Sequence, residues 1–127
     1  MPHEDGAAYS PVVATISLGA PIVLDIYEKR VGDEVEEQRE VKYRILQEPG
    51  SLLVTKGEAY TSLLHGISPI TRDDNLSADR IANWELLGNK KTFELSGGVS
   101  ERSTRISLTY RDVLKVSKVG LGILSRR

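Results

Sequence analysis

The chain holds two histidines, and one of them stands in His3-Glu4-Asp5. Residues two apart on extended backbone project to the same side, so His3 and Asp5 share a face and Glu4 is directed elsewhere. The second histidine, His65, comes at the end of the apolar stretch AYTSLLHGI (59–67). Two imidazoles and one carboxylate on one face of a metal suit non-haem iron(II) and leave three coordination positions open. A His-x-Asp pair alone is common by chance, and a lone strand-end histidine is more often structural than ligating. The reading therefore needs a third, independent feature.

RISLTYR (105–111) supplies it. Arg105, Ser107, Thr109 and Arg111 occupy alternate positions and so share one face of a strand, with Ile106, Leu108 and Tyr110 on the other. Two guanidinium groups and two hydroxyls are costly to bury without a partner. A small dianion is such a partner, because guanidinium matches carboxylate geometry with two parallel hydrogen bonds. The alternative for this face is an exposed edge strand with its polar side in water.

These residues need a β framework to hold them. VVATISLG (12–19) and IVLDIYE (22–28) are rich in β-branched residues and are joined by the turn signal Gly19-Ala20-Pro21. VKYRILQE (41–48) alternates, with Val41, Tyr43 and Ile45 on one face and Lys42 and Arg44 on the other. Pro49-Gly50 marks another turn before SLLVTKG (51–57), and the pattern predicts further strands over 59–67 and 105–113. Such spacing indicates a sandwich or barrel rather than parallel βαβ units. GDEVEEQRE (32–40) is expected to be an exposed, solvated hairpin loop. ADRIANWELLG (78–88) is expected to form a short helix capped by Ser77 or Asn75 and ended at Gly88, and SGGVSERST (96–104) a flexible loop.

Composition sets the outer bounds. A length of 127 residues suits one domain with a real core, and 39% hydrophobic with 28% charged residues is ordinary for a water-soluble chain. No apolar run approaches the ~20 residues that a bilayer-spanning helix needs, and no signal-peptide pattern opens the chain, so no membrane association is expected. The absence of cysteine excludes disulfides and thiolate metal sites. Net charge is -1, yet basic residues dominate from Arg102 to Arg127, where Asp112 is the only acid. That asymmetry could favour a polyanion locally without being a nucleic-acid signature.

His-x-Asp, a distal His and R-x-S-L-T-x-R, in that order on a β chain, resemble the AlkB-type iron(II)/2-oxoglutarate-dependent dioxygenases. MPHEDG, TISLG, SLLVTKGEAYTSLLHGI and RISLTYR are most similar to the AlkB homologue six subgroup, and the resemblance runs from Met1 to about Lys118. It implies an all-β, double-stranded β-helix (jelly-roll) with one short helix in an insertion. It further implies Fe(II) held by His3, Asp5 and His65, with donor atoms roughly 3–4 Å apart around a shared ion. 2-Oxoglutarate would be the cosubstrate, with Arg105 on its distal carboxylate and Arg111 near Asp5 and the iron-proximal end. Ser107 stands where many members have Asn. O2 would be consumed, succinate and CO2 released, and an N-alkylated substrate such as an alkylated nucleic acid demethylated, in the cytoplasm and nucleus.

Members of the family place an Asn-x-Tyr strand and a substrate lid before the His-x-Asp, and neither is found here. The expectation is therefore that residues 1–127 correspond to the catalytic C-terminal half of a jelly-roll incomplete at its N-terminus. The alternative is a truncated, non-catalytic jelly-roll that binds metal or a protein partner without turnover.

Overall fold

A computed structural model describes residues 1–6, 9–29 and 39–113. In the first sheet, β1 (Tyr9–Leu18) is central, flanked by β4 (Leu52–Lys56) and β8 (Ile106–Val113). In the second, β2 (Ile22–Glu28) lies between β3 (Val41–Gln47) and β5 (Leu63–Gly66). All of these pairings are antiparallel. A small ribbon pairs β6 (Arg72–Asp73) with β7 (Ser100–Glu101), and the helices are α1 (Glu58–Thr61) and α2 (Lys90–Leu95). The chain is thus mostly β, as its alternating patterns predict.

The link from β1 to β2 carries the chain from one sheet to the other, and its corner is built for glycine. Gly19 has φ +86°, and a Cβ there would lie 2.5 Å from the Thr104 carbonyl oxygen. Only glycine lets the turn approach the start of β8 so closely. Strand parity then sorts the side chains. Val13 and Thr15 of β1, Leu24 and Ile26 of β2, Ile45 of β3 and Leu53 of β4 line one cavity of about 610 Å³. The opposite face of the first sheet carries Leu52, Ile106 and Tyr110, all exposed.

A cluster of buried apolar residues lies behind the second sheet. Val23 and Leu46 project from the back of β2 and β3 onto Leu76, Ile81, Trp84, Leu87 and Phe93 of the 68–102 segment. Polar contacts fasten this segment to the sheet. The Asn83 side chain accepts from Leu46 N and donates to Leu46 O, both at 2.9 Å, standing in for one residue of a neighbouring strand. The Glu48 carboxylate accepts from the backbone N–H of Gly88 and Asn89. Arg102 forms a fork on Asp73, at 2.9 and 2.8 Å, and Asp73 is only 1% exposed.

Several local expectations are corrected. AYTSLLHGI is not one strand: its first residues form α1, with Tyr60 N and Thr61 N donating to Gly57 O, and only Leu63–Gly66 are extended. β4 and β5 belong to different sheets, so the chain must turn between them. ADRIANWELLG is not a regular helix but a series of turns with a 3-10 turn at Trp84–Leu86. Its polar groups are used on β3: Ala82 N donates to Arg44 O, and Asn83 caps Leu46. Ser77 is hydrogen-bonded to Asp79 rather than to a helix start, and the helix of this region is α2. SGGVSERST is not wholly loop, because Ser100 and Glu101 pair with β6. Among the described residues there are accordingly two short α-helices rather than one. Most of the acidic 32–40 stretch lies outside the described residues.

Replacing Arg102 with alanine leaves the Asp73 carboxylate buried without its counter-charge. The expected cost is about 3–5 kcal/mol of folding stability, read as a shift of the urea midpoint at constant slope. A change below about 0.5 kcal/mol would mean that the fork does not fasten the 68–102 segment.

Candidate metal centre

The segment carrying His3 and Asp5 is fixed by contacts distant in sequence. His3 N donates to His65 O and His65 N to His3 O, each at 2.9 Å, so residue 3 extends the edge of β5. Gly66 makes room for it: a Cβ there would come within 3.2 Å of Pro2. Tyr60, buried on α1, donates its hydroxyl to Gly6 O at 2.6 Å. Lys29 pairs with Glu4, which points away from His3 and Asp5 as alternation requires.

The bridge sets the two imidazoles side by side, with ring centroids 4.4 Å apart. His3 Nδ1 lies 3.1 Å from Met1 O. A carbonyl only accepts, so Nδ1 is the donor in this contact. Burial lowers the pKa of His65; the charge of neighbouring His3 lowers it further, and Asp5 opposes the shift. The neutral imidazole that a metal requires is thereby favoured. One donor atom from each of His3, Asp5 and His65 lies within 4.8 Å of the others. This is wider than the 3–4 Å expected from a shared ion.

Arg111 of β8 and Arg105, the residue just before that strand, line the same cavity at opposite ends. Arg111 Nη2 donates to Asp5 Oδ1 at 2.7 Å. Arg105 lies six residues away, roughly 20 Å along a strand, and donates from Nε to Ser17 Oγ at 2.7 Å and from Nη2 to Gln47 Oε1 at 2.5 Å. Among the described residues no carboxylate lies in ion-pair range of Arg105, and burial pushes its guanidinium below its usual pKa. Ser107 and Thr109 line the cavity between the two arginines.

The structure therefore brings His3, Asp5, His65 and Arg111 to one end of the cavity, places Arg105 at the other, and sets Ser107 between them. Three residues of this arrangement escaped sequence reasoning: Ser17, Gln47 and Tyr60. Ser17 and Gln47 carried a weak signal, as polar residues in phase with the inward positions of apolar strands. Tyr60 carried none, because its role depends on a helix that the sequence pattern did not reveal.

No protein-family model matches the chain. The chain is related to the AlkB-type demethylases. It is 33% identical over 125 residues to the Danio rerio protein named Probable RNA/DNA demethylase ALKBH6, over 95% of this chain and 50% of that protein. The chain thus spans about half the length of the curated relative it matches.

Tyr60→Phe removes the hydroxyl that anchors Gly6, and with it the segment bearing His3 and Asp5. Cobalt(II) titration, followed by visible absorbance, is expected to show an affinity loss of about tenfold, the lower end of what outer contacts to metal ligands contribute. Unchanged affinity would show that the His3–His65 bridge positions the ligands unaided.

Proposed function

We propose that this chain carries the catalytic site of an iron(II)- and 2-oxoglutarate-dependent dioxygenase of AlkB type, built on a double-stranded β-helix and acting on an N-alkylated nucleic acid. One observation carries the reading. His3, Asp5 and His65 converge at one end of a cavity whose other end presents Arg105, a cation with neutral protein partners. The residues fit the implied cofactors: two imidazoles and a carboxylate form the facial set that suits non-haem iron(II). A guanidinium one cavity-length away suits the far carboxylate of a short dicarboxylic acid.

When bound, iron(II) with 2-oxoglutarate supplies an oxidation in which O2 gives one oxygen atom to succinate and one to a substrate C–H bond, with release of CO2. The hydroxylated N-alkyl group then leaves as an aldehyde. The protein binds and orients. His3 and His65 offer ring nitrogens, and Asp5 offers a carboxylate oxygen while Arg111 holds its partner. Arg105 draws the distal carboxylate to the opposite end, which fixes the direction in which a 2-oxo acid lies. The apolar walls formed by Leu24, Ile26, Ile45 and Leu53 limit water around the reacting end. A nucleic-acid substrate is supported by the name of the zebrafish relative, and an alkylated base would enter unstacked.

The test is succinate release from 2-oxoglutarate with iron(II) and O2. Slow, uncoupled release is expected from the chain and none from His65→Ala. Arg105→Lys loses the two-pronged grip and should weaken 2-oxoglutarate binding by about 10- to 100-fold. Binding of metal and 2-oxoglutarate with no succinate at any substrate concentration would favour the non-catalytic jelly-roll instead.

A further inference from the structure

Two of the most deeply buried polar side chains in the described residues are Ser17, 1% exposed, and Gln47, 4% exposed. They come from different sheets, β1 and β3, and both serve Arg105. Their oxygens lie 3.5 Å from each other. Ser17 takes the Nε hydrogen and Gln47 one Nη2 hydrogen, which together form one edge of the guanidinium fork. A carboxylate gripped on that edge would set its two oxygens where Ser17 Oγ and Gln47 Oε1 now stand. The edge is closed. Nη1 and the second Nη2 hydrogen remain, and Arg105 lines the cavity.

Charge sharpens the point. A partly buried cation ordinarily recruits a carboxylate, as Arg102 does with Asp73, and the more exposed Arg111 also takes one, Asp5. At Arg105 the protein supplies two neutral oxygens instead. These satisfy hydrogen bonds without cancelling charge, and burial without a counter-ion is an unfavourable state for guanidinium. Among the described residues the site is thus short of one negative charge.

We propose that Ser17 and Gln47 are the positioning residues of Arg105: they fill one edge of the guanidinium with neutral oxygens and so reserve its other edge, and its whole charge, for the distal carboxylate of a dicarboxylic 2-oxo acid. The inference rests on the cosubstrate reading above and deepens it. That reading names Arg105 as the grip; this one names what keeps the grip open. Gln47 is the decisive position, because a carboxylate of nearly the same shape there would satisfy Arg105 internally and shut the site.

The experiment compares two probes on the manganese(II)-loaded chain by calorimetry: 2-oxoglutarate, and 2-oxopentanoate, which keeps the 2-oxo acid end and has a methyl group where the distal carboxylate would be. The unsubstituted chain is expected to prefer 2-oxoglutarate by roughly 10- to 100-fold, the worth of one charge-assisted contact. Gln47→Glu is expected to collapse that ratio to about threefold or less, and Ser17→Ala to lower it several-fold by freeing the guanidinium to turn. A merely structural defect would weaken both probes alike and leave the ratio unchanged. Should Gln47→Glu fail to fold, Ser17→Ala decides alone. Arg105→Met separates the two readings. If it keeps the preference, or if the unsubstituted chain shows none, the cosubstrate reading falls and this inference with it. If Arg105→Met collapses the ratio while Gln47→Glu, or the deciding Ser17→Ala, preserves it, only the positioning role is overturned.

Discussion

The candidate site depends on two backbone hydrogen bonds between His3 and His65. Closing so long a stretch of chain costs entropy that two hydrogen bonds alone do not offset. The bridge persists because neighbours on both sides support it. Gly66 lets Pro2 approach, Tyr60 holds Gly6, and Lys29 holds Glu4. Each of these contacts acts on backbone or on residues that alternate with the candidate ligands, so none occupies a donor atom of His3, Asp5 or His65. The positioning machinery and the chemical groups are kept on opposite sides of the same short segment.

A cavity of this size between two sheets is a stability problem. Facing sheets usually fill the space between them with interdigitating side chains. Here that space stays open between apolar walls that include Leu24, Ile26, Ile45 and Leu53, and a dense apolar cluster packs behind the second sheet, around Trp84 and Phe93. The 68–102 segment therefore does more than connect strands. It supplies the apolar surface that β2 and β3 need on the back, and the Asn83 amide and Glu48 carboxylate fasten it there. Rigidity in β2 and β3 in turn steadies Leu24, Ile26, Ile45 and Gln47, which face the cavity from the same two strands.

Much of this was legible in the sequence, for a physical reason. Strand residues alternate with period two, so the inward set of RISLTYR and the shared side of His3 and Asp5 follow from spacing alone. The strands over 22–28 and 41–47 emerge within a residue of their expected bounds, because β-branched runs bounded by turn residues have few other solutions. The errors fall where tertiary contacts outbid local preference. The 78–88 stretch has helical periodicity, but Ala82 and Asn83 are drawn to the edge of β3 and the helix does not propagate. The 59–67 stretch reads as extended, yet it has to cross between sheets. Ser17 and Gln47 belong to a third class: their importance lies in a meeting of two strands from different sheets, which no local pattern encodes.

Strand β8 and the residue before it show how a single periodic element can set up two opposite electrostatic states. Alternation places Arg105 and Arg111 on one face, and about 20 Å of strand keeps them apart. That separation prevents both from settling on Asp5, the carboxylate that a metal site needs. Arg111 is matched by Asp5 and so orients it, while its own charge is largely spent. Arg105 is met by a serine and a glutamine and so keeps its charge. Exchanging these surroundings would leave the same residues in the same fold with the electrostatics reversed: a neutralised Arg105 at one end and an unoriented Asp5 carboxylate at the other. The difference between a filled cavity and a receptive one therefore lies less in the two arginines, which a sequence motif reveals, than in the charge of what each one touches.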